Sequence, residues 1–374
     1  MKYYILAGEA SGDLHGSTLV RALKKKDPAA VIRAWGGDLM AEAGAEVVKH
    51  YRDLAFMGFV EVVKNLPAIL RNFRECKADI LRYRPDALIL IDYPGFNLRM
   101  ANWAKKQGLR VYYYISPQLW AWKTGRVKII RRTVARMYVI LPFEKTFYQK
   151  HGVAVEFVGH PLLDAIGQYD IATDFFKKNS LDEQTPIIAL LPGSRRQEVA
   201  RMLPLMAAVA SRLPKCQFVV AGAPAIERTY YETLLPPGSP VKIVENQTYP
   251  LLRHAYAALV TSGTATLETA LFDVPQVVCY KGGSISFWLA KRLVNKDLKF
   301  IALVNLIAGH AIVKELIQED FNLDNLEKEL KALLAEKSRA PILRHYADLR
   351  SMLGFPGASD RVANSIVNDM RQSM

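Results

Sequence analysis

One local pattern repeats along the chain: an apolar run ends in turn residues and then gives way to helical periodicity. In the first half the runs are "YYILAG", "AVIRAWGG", "DALILIDYPG", "RVYYYISP", "RMYVILPF" and "VEFVGHP". After the polar stretch "GQYDIATDFFKKNSLDEQTP" the pattern restarts with "PIIALLPGSRRQE", "CQFVVAGAP", "VKIVEN", "AALVTSGTATLE" and "PQVVCYKGG". Strands that alternate with helices indicate parallel, doubly wound sheets. The sequence therefore predicts an α/β protein built from two similar Rossmann-like domains.

The length supports this division, because 374 residues with 51% hydrophobic content can supply two cores. We place the first domain at 1–167 and the second at 168–342. The helical ending "HYADLRSMLGFPGASDRVANSIVNDM" is predicted to cross back, adding about 343–374 to the first domain. Ligands of open parallel sheets bind at the carboxyl ends of the strands. We therefore expect the active site in a cleft that the two domains face.

Charge is unevenly distributed. Residues 1–165 hold 26 Lys and Arg against 15 Asp and Glu, whereas residues 166–374 hold 24 against 21. The first half is therefore expected to face an anion, either nucleic acid or an anionic membrane and phosphorylated lipid. Cys76, Cys216 and Cys279 form no metal-ligand pattern, which favours a reducing cytoplasm and no metal. The start resembles no secretion leader, and no uncharged apolar run reaches the roughly 20 residues of a spanning helix. We expect a soluble or peripheral protein.

The first turn, in "YYILAGEASGDLHGSTLVRAL", carries Glu9 and Asp13. A helix start after a glycine turn normally offers N–H groups to a phosphate, which these carboxylates would repel. The first domain is therefore not expected to bind the phosphates. A competing interpretation is that Asp13 only complements the helix dipole.

The second half offers two loops suited to phosphates. Gly193, Ser194 and Arg195 lie between a strand and a helix in "LLPGSRRQE", and a second small turn opens a helix in "TSGTATLE". That turn comprises Ser262, Gly263, Thr264, Ala265 and Thr266, and Glu268 is placed to accept from a ribose diol. An ordinary loop and a Ser/Thr cap with a capping-box glutamate are the alternatives. Neither loop is a Walker A or GxGxxG motif, so a nucleotide sugar fits better than ATP or NAD.

Eight motifs occur here in the same order as in lipid-A-disaccharide synthases, which this chain resembles over nearly its whole length. They are "LAGEASGD", "FMGFVEVV", "ISPQLWAWKTGRV", "LPFEK", "VGHPLLD", "LLPGSRRQE", "TSGTATLE" and "NLIAGHAIVKELIQ". The resemblance implies the GT-B glycosyltransferase fold, no metal and no cofactor. It also implies a reaction: UDP-2,3-diacylglucosamine and 2,3-diacylglucosamine 1-phosphate give a β-1,6-linked disaccharide phosphate and UDP.

Inverting transfer needs a base for the acceptor 6-hydroxyl. Asp92, after the apolar run "ALILI", is our first choice, and Asp13 and Glu9 are the alternatives. Asp92 could instead cap the following helix. The family often has a second aspartate three residues on, where this chain has Gly95.

Further substrate contacts are predicted on both halves. Asn305 and Glu315 join the donor set. The acceptor and lipid set comprises Ser11, Gly12, Met57, Gly58, Trp120, Trp122, Lys123, Arg126 and His160. The alternative for the two indoles is interior packing, and for His160 a loop contact.

The segments "LAFMGFVEVVKNLPAILRNFRECK" and "ISFWLAKRLVNKDLKFIAL" combine apolar and basic residues, which suits an interfacial helix. We expect a cytoplasmic protein on the inner face of the inner membrane, compatible with a homo-oligomer. A related UDP-sugar enzyme, such as an epimerase, would share the fold without needing "FMGFVEVV". A nucleic-acid-binding protein would gather aromatic and basic residues on one element, which this chain does not.

Overall fold

The computed structural model describes residues 1–54, 66–121, 124–167, 174–282 and 299–373. Met57, Gly58, Trp122 and Lys123, which the sequence assigned to acceptor and lipid contacts, lie outside these ranges. The chain divides into two units. The first comprises Met1–Asp164 and Leu353–Met374, and the second comprises Ala165–Met352.

A seven-stranded sheet forms the first unit. Its strands are β1 (Lys2–Ala7), β2 (Val31–Gly36), β3 (Glu46–His50), β4 (Ala87–Ile91), β5 (Arg110–Tyr114), β6 (Arg136–Val139) and β7 (Glu156–Phe157). They pair in the order β3-β2-β1-β4-β5-β6-β7, all parallel. All five residues of β4 are buried, as expected of a central strand with both faces covered.

Helices follow the strands of this unit. They are α1 (Ala10–Lys26), α2 (Asp38–Glu42), α3 (Leu66–Tyr83), α4 (Pro94–Lys106), α5 (Val127–Thr133), α6 (Pro142–Lys150) and α7 (Leu162–Gly167), the last of which crosses the unit boundary. Helix α4 begins with Pro94, whose fixed φ suits a first helical position.

A six-stranded parallel sheet forms the second unit, in the order β10-β9-β8-β11-β12-β13. Its strands are β8 (Ile187–Leu191), β9 (Gln217–Gly222), β10 (Lys242–Glu245), β11 (Ala255–Thr261), β12 (Gln276–Tyr280) and β13 (Lys314–Ile317). Its helices are α8 (Phe175–Lys178), α9 (Arg196–Ala208), α10 (Arg228–Glu232), α11 (Thr248–His254), α12 (Thr264–Leu271), α13 (Leu303–Ala308), α14 (Leu323–Leu334) and α15 (Glu336–Met352). Two parallel α/β sheets confirm the predicted fold class.

The last helix, α16 (Ala358–Arg371), returns to the first unit, as predicted. Ser359 is hydrogen-bonded to Thr18 of α1 (2.8 Å), and Asp369 accepts from the Tyr112 hydroxyl of β5 (2.6 Å). The unit boundary falls after Met352, whereas the sequence placed it near 343. Helix α15 is continuous to Met352, and Arg350 donates to the Leu271 carbonyl of the second unit (2.9 Å).

The strand order reverses once in each sheet. In the first sheet the reversal lies between β1 and β4, and in the second it lies between β8 and β11. Loops that leave the two strands at such a switch point diverge and open a crevice, which is where open α/β sheets bind ligands. The loops that carry chemistry are therefore expected after β1, β4, β8 and β11. Among the described helices, none has the length and apolarity to cross a bilayer.

Candidate active site

Two acidic side chains follow the strands at the switch point of the first sheet. Strands β1 and β4 pair in register, Ala7 with Ile91. Glu9 stands two residues beyond the first strand and Asp92 one residue beyond the second. The pKa of Asp92 is raised from 3.8 to about 7, mainly by burial and also by the charge of Glu9, against a lowering contribution from the N–H of Tyr93. A carboxyl group with a pKa near neutrality can accept a proton from a substrate hydroxyl.

The turn that carries Asp92 is left-handed. Asp92 has φ of 44° and Tyr93 has φ of 47°. Left-handed non-glycine residues are uncommon and cluster at functional sites. The Tyr93 ring lies against Gly8, where an added Cβ would come within 2.4 Å of the ring. Gly8 therefore lets the loop after β1 approach the loop after β4 closely.

Asp13 takes a different position from Glu9 and Asp92. It is 3% exposed, and its carboxylate accepts from the backbone N–H groups of Gly37 (2.8 Å), Leu39 (3.2 Å) and Met40 (3.1 Å). These N–H groups open helix α2, so Asp13 caps a neighbouring helix rather than its own. Both oxygens of Asp13 therefore accept hydrogen bonds from the backbone at the start of α2.

The other residues predicted for the acceptor are distributed around this edge. Ser11 and Gly12 lie in the first turn of α1, and Arg126, half-exposed, precedes α5. Trp120 is 8% exposed and packs edge-on against Phe143, with ring centroids 4.9 Å apart. This packing agrees with the interior alternative for that indole.

His160 is also interior. It is 2% exposed, and its Nδ1 accepts from the N–H of Leu162 (3.2 Å). Its pKa is lowered to about 3, mainly by burial and also by the nearby His15. His160 is therefore neutral near pH 7 and fixes the loop after β7, in line with the loop-contact alternative.

At the switch point of the second sheet, the loop after β8 is held by Glu198 of α9. The Glu198 carboxylate accepts from the N–H of Ser194 (3.2 Å) and from the guanidinium of Arg195 (2.8 Å). Gly193 has φ of 116°, and a Cβ there would come within 2.7 Å of Glu198. Glu198 was not predicted from the sequence, although its three-residue spacing from Arg195 at a helix start indicates such a contact.

The loop after β11 opens helix α12 with Gly263 and Thr264, both exposed. Ser262 donates to the Ile301 carbonyl (3.0 Å), and the buried Thr266 hydroxyl bonds back to the Gly263 carbonyl (2.8 Å). Ala265 follows in the first turn. Backbone N–H groups at a helix start of this kind are donors that suit a diphosphate.

Glu268 lies one turn into α12. It accepts from the Tyr249 hydroxyl (3.4 Å), and burial raises its pKa to about 7, against the lowering effect of that hydrogen bond. Tyr249, on α11, is a neighbour that the sequence analysis did not identify.

Asn305 and Glu315 hold the loop next to Ser262. Asn305 is fully buried, and its amide donates to Val313 (2.9 Å) and accepts from Ile312 (2.8 Å). Glu315 accepts from the N–H groups of Ile301 (3.0 Å) and Ala302 (3.0 Å). These hydrogen bonds hold in place the segment around Ile301, whose carbonyl accepts the hydrogen bond from Ser262. Within the described ranges, no three His, Cys, Asp or Glu side chains are placed to hold a metal ion.

Two parallel α/β sheets, each with polar loops after the strands at its switch point, define the fold class, which is GT-B. The fold is similar to UDP-GlcNAc 2-epimerase from Neisseria meningitidis bound to UDP-GlcNAc, with a TM-score of 0.69 at 13% identity, covering 98% of this chain and 100% of that one.

The particular family follows from the sequence. Residues 3–355 match the family model for lipid-A-disaccharide synthetase. The chain is 41% identical to the lipid-A-disaccharide synthase of Syntrophus aciditrophicus, over 96% of this chain and 95% of that protein. It is 42% identical to that of Trichlorobacter lovleyi, over 99% and 97%. The chain belongs to the lipid-A-disaccharide synthase family, and it is a glycosyltransferase.

Proposed function

We propose that this chain joins UDP-2,3-diacylglucosamine to 2,3-diacylglucosamine 1-phosphate, giving the β-1,6-linked disaccharide 1-phosphate and UDP. The family match over residues 3–355 carries the proposal. The acidic pair after β1 and β4 supports it, because the acceptor is a sugar hydroxyl that must lose a proton. The loops after β8 and β11 support it as well, because the leaving group is a nucleoside diphosphate.

Asp92 is the base in this proposal. Its carboxylate takes the proton of the acceptor 6-hydroxyl as that oxygen attacks the anomeric carbon from the face opposite UDP, so the reaction proceeds in one inverting step. Arg195 and the N–H groups at the start of α12 receive the charge that develops on the departing diphosphate. Glu268 accepts hydrogen bonds from the ribose. Glu9 bonds acceptor hydroxyls beside the base.

A substitution at Asp92 tests the assignment. Asparagine keeps the size of the side chain and caps helices about as well as aspartate, but it cannot accept a proton. We expect single-turnover transfer by Asp92→Asn to fall by roughly 10²–10⁴ with donor binding little changed. The assay uses UDP-2,3-diacylglucosamine as donor, with the melting temperature as a check on folding. A near-normal rate in the folded variant would remove Asp92 as the base.

We also propose that the protein binds the inner membrane surface, where its acylated substrates reside. Helix α3 supports this. Leu70 and Leu81 are each 53% exposed, and their 11-residue spacing places them on one face of the helix. Arg71, Arg74 and Arg82 are exposed on the same helix. Leucines interleaved with arginines suit a surface that meets anionic headgroups.

A further inference from the structure

Consecutive left-handed residues at 92 and 93 need an explanation, because such backbone persists only where the surroundings hold it in place. Two side chains converge on the carbonyl oxygen of Asp92. The Tyr113 hydroxyl donates to it at 2.6 Å, and the Asn97 amide nitrogen donates at 2.8 Å. We propose that Tyr113 and Asn97 are positioning residues that hold the Asp92 turn and thereby aim its carboxylate. This inference rests on the proposed role of Asp92 as the base.

Asn97 ties together the two strands of the switch point. It is fully buried in the first turn of α4. Besides Asp92, its amide nitrogen lies 3.1 Å from the Ile91 carbonyl at the end of β4 and 3.4 Å from the Leu6 carbonyl near the end of β1. One amide group therefore links the strand that precedes Glu9 to the strand that precedes Asp92.

Tyr113 reaches the turn from β5. It is fully buried, and burial raises the pKa of its hydroxyl well above the usual value, with the charge of Asp92 adding to the effect. The hydroxyl is therefore protonated across the working pH range and always available as a donor. Because Tyr113 contacts the backbone of Asp92 rather than its carboxylate, it orients the base without taking part in the proton transfer.

The turn resembles in its mechanics the strained strand-to-helix elbow that presents a nucleophile in other α/β enzymes. A left-handed backbone immediately after a buried strand turns the chain sharply. Here Glu9, after the neighbouring strand, is close enough for its charge to contribute to the pKa of Asp92. The titratable groups that interact with Asp92 are Glu9, after β1, and Tyr113, on β5. The Tyr93 hydroxyl interacts with Glu9 instead. If the turn relaxes, the carboxylate moves away from Glu9 and gains solvent, so its pKa falls.

Tyr113→Phe tests the inference, because it removes one hydroxyl and keeps the ring. We expect single-turnover transfer to fall by about 10- to 10²-fold, the cost of a small misplacement of a catalytic group. The KM for the donor should change less than about threefold, since only the base is disturbed. In the pH–rate profile, the acid limb is the range in which activity falls because the base becomes protonated. This limb should move to lower pH.

Tyr112→Phe is the matched control. Tyr112 is the preceding residue of the same strand, is equally buried and also donates a 2.6 Å hydrogen bond, but to Asp369. If Tyr113 only stabilised β5, both variants would have a lower melting temperature. Their transfer rates and the acid limbs of their pH–rate profiles would then match those of the wild type. A folded Tyr113→Phe with wild-type rate and acid limb therefore overturns the inference. If Tyr113→Phe loses its melting transition, Asn97→Ser decides by the same two measurements.

Asp92→Asn, assayed in parallel, separates this inference from the proposed function. If Asp92→Asn keeps normal transfer, the base assignment fails and the inference fails with it. If Asp92→Asn is inactive while Tyr113→Phe has normal kinetics, only the inference fails. A slow Tyr113→Phe with a shifted acid limb, beside an inactive Asp92→Asn, supports both.

Discussion

Three aspartates of the first unit share one chemistry and differ in their surroundings. Asp13 caps helix α2 with both carboxylate oxygens. Asp369 is 5% exposed, and although burial opposes its ionisation, hydrogen bonds from Arg110, Tyr112 and Arg136 outweigh that effect and hold its pKa at about 2. Asp92 has burial and Glu9 acting in the same direction, so its pKa is raised to about 7. Of Asp92 and Asp369, Asp92 is therefore the one that exchanges protons near neutrality.

The opposite pKa shifts of Asp92 and Asp369 predict opposite effects on stability. The pKa of Asp92 is higher in the folded state than its ordinary 3.8, so ionising it costs folding free energy increasingly as pH rises from about 4 to 7. Asp92→Asn removes that cost. We expect its melting temperature, relative to wild type, to be higher at pH 8 than at pH 4.5.

Asp369→Asn provides the contrast in the same scan. Its folded pKa lies below 3.8, so its stabilising contribution is complete above about pH 4 and is lost only as pH falls toward 2. We expect a loss on the order of 2–3 kcal/mol, typical of charged hydrogen bonds, of similar size at pH 8 and pH 4.5. An Asp92→Asn difference that is the same at both values would contradict the raised pKa of Asp92.

At the scale of elements, the strands were predictable and the partners of the loops were not. The runs "YYILAG" and "ALILI" became β1 and β4 because a central parallel strand must be apolar on both faces. The apolar run "ALILI" placed Asp92 after a strand, and the small-residue turn in "TSGTATLE" placed Glu268 at a helix start. No local pattern, however, predicts that Asp13 caps α2, whose N-cap residue lies 24 residues away in the sequence. Nor does any local pattern predict that the Asn305 side chain forms hydrogen bonds with the backbone of Ile312 and Val313. Those roles arise from tertiary packing.

The loop after β8 carries a prediction at this scale. An alanine at Gly193 would be strained at φ of 116°, and its Cβ would meet the Cβ of Glu198 at 2.8 Å. That atom is fixed to α9, so the loop must shift and loosen the bonds from Glu198 to Ser194 and Arg195. We expect Gly193→Ala to weaken UDP binding about tenfold or more, within the 1–3 kcal/mol that such strain costs.

Calorimetric titration with UDP measures the effect. Gly167→Ala is the control, because Gly167 ends the short helix α7 and an added Cβ there meets nothing within 4 Å. It should bind UDP as the wild type does. Unchanged UDP affinity in a folded Gly193→Ala protein would argue against the placement of UDP on this loop.

At the scale of the whole chain, the two parallel sheets have corresponding switch points, and different residue types follow the strands there. Each reverses its strand order once, and each carries its polar loops after the strands beside the reversal. The first switch point bears Glu9 and Asp92, and the second bears the Gly193–Arg195 and Ser262–Thr264 loops. In the proposed function the nucleotide binds the loops of the second unit. The acidic turn after β1 then binds a sugar hydroxyl and not a phosphate.

The charge of the whole molecule leads to a prediction about membranes. The formal net charge is +14, and residues 1–165 carry 26 basic against 15 acidic side chains. Together with the exposed leucines of α3, this excess should draw the protein to anionic vesicles. Binding should weaken as salt rises, because charges in water are screened over about 10 Å at 0.1 M. Co-sedimentation with anionic and zwitterionic vesicles, at low and high salt, measures both effects.

A double variant separates the apolar contribution from the charge. Leu70→Ser with Leu81→Ser removes two leucines that are each 53% exposed, so the core should be little affected. It leaves Arg71, Arg74 and Arg82 in place. If α3 lies on the membrane, the variant keeps a salt-sensitive attraction but binds at least about tenfold more weakly. A fully buried leucine contributes roughly 1.5–3 kcal/mol, and about half of each of these two side chains is exposed and available to the membrane. Equal binding by the variant and the wild type would mean that the membrane-binding surface of the protein lies outside α3. Failure of the wild type to sediment with anionic vesicles at low salt would refute the membrane proposal altogether.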